Sequence, residues 1–220
     1  MNARRVWPCV VAAACVLAMR AQALDVNEVV RKVQARYDAT RDFTADVTQD
    51  ATIASLGKTV TAHGTIAFKK PGKMRWDLTQ GDQQIIVADG STLWLYRPDD
   101  RQVLKAPFDA AFRSAIPISF LTGVGRITQD FQASLDGETP DHHGLYLLLV
   151  PRQDGKGLGQ LRLTVASDTF DIRGAEIRDA LGNVNQLRFE NVRRNLGIAD
   201  EQFVFKVPAG VDVISAPIGQ

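Results

Sequence analysis

Over residues 64–103, apolar and polar positions alternate in short runs separated by turn formers, and the rest of the chain is organised around this stretch. Runs at 65–69, 73–78, 83–88 and 92–97 are bounded by Pro71-Gly72, Gln80-Gly81-Asp82, Asp89-Gly90 and Pro98-Asp99. Each break sets turn residues between β-branched or aromatic neighbours, which predicts an antiparallel β meander. Its clearest hairpin is at Asp89-Gly90, because glycine accepts the positive φ that a two-residue turn needs.

Alternation places Met74, Trp76 and Leu78 on one face of their strand, and Lys73, Arg75 and Asp77 on the other. The next hairpin is apolar on both faces. Ile85 and Val87 oppose Ile86, and then Leu93 and Leu95 oppose Trp94 and Tyr96. A one-sided sheet does not need this. Either helices cover one side and the curl of the sheet covers the other, or a curved sheet encloses an apolar ligand space.

Upstream, Asp25 to Glu28 has the spacing of a reciprocal capping box. Val26, Val29, Val30, Val33 and Tyr37 follow at helical intervals, predicting one amphipathic helix that ends near residues 39–41. From Phe43 the period switches to two, giving a long strand with one wet face that turns at Leu56-Gly57-Lys58 and returns over 59–69. Residues 105–131 differ in kind. Phe108, Phe112, Ile116, Ile118, Phe120 and Leu121 stand among Pro107, Pro117 and Gly123, which predicts short helical pieces, serving either as a movable cover over the sheet or as a fixed plug. Strands are expected again at 145–150, 161–166, 175–178, 185–194 and 203–207. A sheet of this size, almost wholly antiparallel, curls toward a barrel.

The N-terminus bears on compartment. Arg4 and Arg5 precede an apolar run at residues 6–19, and Ala21-Gln22-Ala23 offers the small residues of a cleavage site, so 1–23 is expected to be a signal peptide and 24–220 a single mature domain. Ala12-Ala13-Ala14-Cys15 offers a rival, a lipoprotein box that would leave a lipidated Cys15. Both cysteines, Cys9 and Cys15, fall within the first 23 residues, so the expected mature chain has no disulfide. Removing Arg4, Arg5 and Arg20 from the 26 basic residues leaves 23 against 25 acidic ones, a net charge of −2 that gives nucleic acid no footing.

Catalytic chemistry finds no seat in this pattern. Of the three histidines, His142 and His143 lie with Asp141 in a polar loop that lacks a further ligand at metal-binding spacing, and His63 stands apart. The glycine-rich piece at 155–159 joins two expected strands, with no helix to aim its N-terminus at a phosphate. No serine sits in a nucleophile elbow. A binding protein, with no cofactor, is the expectation.

Four groups of residues then stand out together: Phe43-x-Ala45-x-Val47-x-Gln49; Lys70-Pro71-Gly72-Lys73-Met74-Arg75-Trp76; Asp89-Gly90 with Leu93-Trp94-x-Tyr96; and Phe189-x-Asn191 with Phe203-x-Phe205-x-x-Pro208-x-Gly210-Val211. In order and spacing they resemble the periplasmic outer-membrane lipoprotein carriers, the LolA family, over essentially the whole mature chain. The resemblance implies a mainly β (α+β) fold, an incomplete, strongly curved antiparallel β-barrel (half-barrel) with a helical lid over an apolar cavity. It implies a monomeric periplasmic chaperone, not an enzyme, that takes acylated lipoproteins from an inner-membrane ABC lipoprotein-releasing complex to an outer-membrane receptor lipoprotein. That receptor, of similar fold, and a periplasmic lipid-sensing regulator are the alternatives. Expected acyl-chain contacts are Ile66, Phe68, Met74, Trp76, Ile86, Leu93 and Trp94 in the sheet, with Phe120 and Leu121 on the lid. An arginine before the segment's proline latches the lid in the family; Lys70 holds that place here.

Overall fold

The computed structural model describes residues 25–108, 126–152 and 158–215. Helix α1 (Val26–Asp38) is followed by strands β1 (Asp42–Ile53), β2 (Lys58–Lys69), β3 (Lys73–Gln80), β4 (Gln84–Asp89), β5 (Thr92–Arg97) and β6 (Gln102–Pro107). A one-turn helix α2 (Ile127–Asp130) leads into β7 (Phe131–Glu138), β8 (Gly144–Pro151), β9 (Leu158–Ala166), β10 (Ile172–Asp179) and β11 (Val184–Arg194), and β12 (Asp212–Ser215) is the last described element. The twelve described strands form one sheet in the order β12-β6-β5-β4-β3-β2-β1-β11-β10-β9-β8-β7. Neighbours are antiparallel except β12, which lies parallel to β6.

The sheet curls because its inner face has to be covered. Met74 and Trp76 on β3 belong to the same buried cluster as Leu147 and Leu149 on β8, six strands away in the sheet order. A flat sheet would hold strands that far apart at close to six times the ~4.8 Å strand spacing. Helix α1 lies in the hollow and buries Val29, Val30 and Val33 against this cluster. Its start differs from the expected reciprocal box. The Asp25 carboxylate accepts from the Asn27 backbone at 3.0 Å, but Glu28 turns along the helix to pair with Lys32 at 2.7 Å.

The outer face explains why the meander is apolar on both sides. After β11 the chain crosses beneath β2–β5 as an extended strap with a 3-10 turn at Asp200–Phe203. Ile198 and Phe203 are buried there with Ala67. Phe205 packs on Trp94 and Tyr96, with ring centroids 5.8 and 6.1 Å apart. Residues 203–207, expected as a strand, form none: Phe203 ends the 3-10 turn, and Phe203 and Phe205 pack on the sheet instead of pairing within it. Two further expectations are corrected. Residues 105–107 belong to β6, whose Leu104 and Ala106 pair with Leu95 and Leu93, and Phe131 opens β7.

Two polar clasps hold the strap. The buried Asp42 carboxylate accepts the backbone N–H groups of Leu196 and Gly197 at 2.6 and 3.1 Å, which give this buried charge the partners it needs. Asp200 is held by Lys69 and Lys73 at 2.5 and 2.6 Å. Hydrogen bonds from the two ammonium groups bring its carboxyl down to about 2.

Candidate functional site

Register decides which side chains meet in the hollow. Ile66 on β2 opposes Trp76 on β3, which opposes Ile86 on β4. Phe68 opposes Met74, which opposes Ala88 and, through it, Leu93 on β5. Directly paired residues point to the same face, so six of the expected contact residues converge on the concave side. Ile66, Phe68, Met74 and Trp76 are buried there, and Ile86 and Leu93 are half-buried against them. Trp94 is the exception. As the sequence neighbour of Leu93 it must face the other way, and it stands on the outer face, opposite Val87 and against Phe205. Phe120 and Leu121 lie outside the described residues.

One polar atom interrupts the apolar hollow. Trp76 is 4 % exposed, and its indole Nε1–H has no hydrogen-bond partner among the described residues. A buried N–H left without an acceptor costs about 1–3 kcal/mol.

The open end of the hollow lies beside the C-terminal turn of α1. Here a pocket of about 60 Å³ is floored by Phe43, Phe68, Phe170, Ile172, Phe189 and Val192. Phe43 and Phe68 stack with centroids 4.9 Å apart. Local chemistry fixes the surrounding turn. Thr40 Oγ1 donates to the Arg36 carbonyl at 3.0 Å, and Asn195 bridges the Arg41 N–H and the Ala39 carbonyl at 2.8 and 3.2 Å. The Lys70 backbone N–H donates to the Arg41 carbonyl at 2.8 Å, tying the β2–β3 turn to the same point.

The rim is cationic. Arg36 and Arg194 share one carboxylate, Asp171, at 2.5 and 3.1 Å. Burial works against ionisation of Asp171, but the hydrogen bond from Arg36 and the charges of Arg194 and Arg36 prevail and hold its carboxyl below the usual range. The Lys70 ammonium donates to the Tyr37 carbonyl at 2.6 Å and lies 3.8 Å from the centre of the Tyr37 ring. Burial lowers the pKa of this ammonium, opposed by the charge of Asp38. The acceptor of Lys70 among the described residues is therefore on α1. The lid segment expected to receive it runs into residues 109–125, outside the described residues.

The sequence pattern flagged the sheet residues of the hollow but missed the mouth. Arg36, Arg41, Asp171 and Arg194 are separated by up to 158 positions and meet only because β1 pairs with β11. Phe170 carried a signal, since an aromatic residue in a polar turn, Ser167-Asp168-Thr169, needs something to pack on. The other loop considered, at His142, makes a surface pair with Glu138 at 3.1 Å.

Known proteins agree with this geometry. The chain is 31 % identical over 185 residues to an outer-membrane lipoprotein carrier protein of Methylobacillus flagellatus, covering 84 % of this chain and 88 % of that one. It is 32 % identical over 187 residues to the carrier of Bordetella avium, covering 84 % and 83 %. An uncharacterised conserved protein from Thermus thermophilus shares the fold with a TM-score of 0.53 at 14 % identity, covering 86 % of this chain and 98 % of that one. Residues 38–206 match the family model described as outer membrane lipoprotein carrier protein LolA, and the chain belongs to that family.

Proposed function

We propose that this protein is a periplasmic carrier that shields the acyl chains of lipoproteins between two membranes. On this reading it accepts them from an inner-membrane ABC lipoprotein-releasing complex, delivers them to an outer-membrane receptor lipoprotein, and catalyses no reaction. The observation that carries the proposal is the concave apolar face of Ile66, Phe68, Met74, Trp76, Ile86 and Leu93, lined by residues that offer area with little polar specificity. At about 0.8 kcal/mol per methylene, leaving a chain of roughly fifteen methylenes in water costs on the order of 12 kcal/mol, so an unescorted crossing is negligible.

Release without an energy source requires that something compete with the ligand. Helix α1 already occupies the hollow with Val29, Val30 and Val33, so ligand entry displaces protein contacts and ligand departure restores them. An apolar fluorescent probe bound to the purified protein tests the proposal. A triacylated lipopeptide is expected to displace the probe, and the same peptide without acyl chains is not. Equal displacement by both would show that the site reads peptide, and displacement by neither would remove the hollow as a lipid site.

A further inference from the structure

The pocket at the end of α1 carries more positive charge than its own carboxylates neutralise. Arg36, Arg41, Lys69, Lys70 and Arg194 reach it, against Asp42 and Asp171. Asp42 is engaged by the N–H groups of Leu196 and Gly197, and Lys69 by the Ile198 carbonyl and Asp200 on the outer face. Four cations remain at the rim against two carboxylates, Asp171 and, acting on Lys70, Asp38. Arg36 and Arg194 already share Asp171, Lys70 is met by a carbonyl and a ring, and the Arg41 guanidinium is exposed with no hydrogen bond or ion pair among the described residues.

Below this rim the floor is hydrocarbon and aromatic. We infer that the mouth is a site for a single acyl chain with an anionic head group, the chain lying along Phe43 and Phe68 and the anion meeting Arg41 and Lys70. Arginine presents a planar fork of donors that matches a carboxylate or a phosphate, and charge-assisted bonds of this kind are stronger than neutral ones. A ligand with a neutral head gains nothing from the excess charge. The carboxylate of a free fatty acid and the phosphate of a lysophospholipid share the required chemistry. The inference rests on the carrier reading insofar as Phe68 is common to the pocket and the hollow.

Titration calorimetry of the purified protein tests this, using palmitate, 1-palmitoyl lysophosphatidate and neutral 1-monopalmitoylglycerol below their micellar concentrations, with the triacylated lipopeptide in parallel. The anionic ligands are expected to bind roughly tenfold more tightly than the neutral one, since one charge-assisted hydrogen bond is worth about a factor of ten. Arg41→Gln removes most of that preference and leaves the neutral ligand unchanged, whereas Arg41→Lys keeps part of it. Tighter binding of palmitate assigns the rim to carboxylates, and tighter binding of lysophosphatidate assigns it to phosphates. Equal affinity for neutral and anionic ligands, or an Arg41→Gln effect common to all three, overturns the inference. If the lipopeptide binds while the preference is absent, the carrier reading stands alone, and if no acylated molecule binds, both fall.

Discussion

Gly64 shows how much a single position can carry. It lies in β2 where the register with β3 slips, and a Cβ added there would sit 1.8 Å from the Asp77 backbone oxygen. No side-chain rotation relieves a clash with backbone, so Gly64→Ala has to part the two strands that hold Ile66 and Trp76. A loss of about 3 kcal/mol or more is expected, seen as a lower urea midpoint. The pattern of the sequence gives no hint of this, because the glycine stands in a run that alternates like any strand. Leu93 and Trp94 teach the opposite lesson. Period-two alternation already forbids both from lining one face, and the choice between them needed only the partner strand, where Leu93 meets Ala88 of the inner cluster and Trp94 meets Val87 outside it. Lys70 stood out only through the family resemblance, which puts an arginine before the proline of that turn. Its acceptor did not, because Tyr37 is 33 residues away on an element whose docking depends on the whole sheet.

Two elements, α1 and the outer strap, respond to different perturbations. The single side-chain contact described between Lys70 and the α1 backbone is a charged hydrogen bond, of a kind worth about 1.5–3 kcal/mol. Lys70→Leu is therefore expected to raise amide exchange in the last turn of α1 several-fold in the ligand-free protein. Lys70→Arg is expected to hold that exchange at or below the wild-type rate. Unchanged exchange in both would make Lys70 irrelevant to the seating of the helix. The strap answers to pH instead. With its pKa lowered from 3.8 to about 2 in the folded protein, Asp200 stabilises the docked strap above pH 3.8, and that contribution is lost as pH falls from 3.8 toward 2. Trp94 emission, which reports Phe205 packing on its ring, should shift over that window in the wild type and not in Asp200→Asn. The strap escaped sequence reading because Phe203, Phe205 and Val207 alternate as a strand does, and alternation cannot say whether a segment pairs in a sheet or lies across one. β12 has four exposed residues and no inward face to advertise it.

At the scale of the whole molecule, the sheet is two meanders joined at one seam. β1 to β6 are consecutive neighbours, as are β7 to β11, and the pattern of turns made both largely readable. The join between β1 and β11 was not readable, because Val47 and Phe189, which face each other across it, carry no local mark of their partnership. That join creates the mouth: Arg36 and Arg41 arrive from one side, Asp171 and Arg194 from the other. It also has a consequence for how the protein reaches its native state. Each meander assembles from hairpin pairs no more than 27 residues apart, but the seam closes a loop of well over a hundred residues, and the entropy of that closure is spent before any seam contact can repay it. Folding should therefore be limited by the meeting of two preformed halves. During that wait both lining faces, the stickiest surface of the chain, stand open to anything nearby, and a chain made amino end first cannot begin to hide them until β11 (Val184–Arg194) has been added.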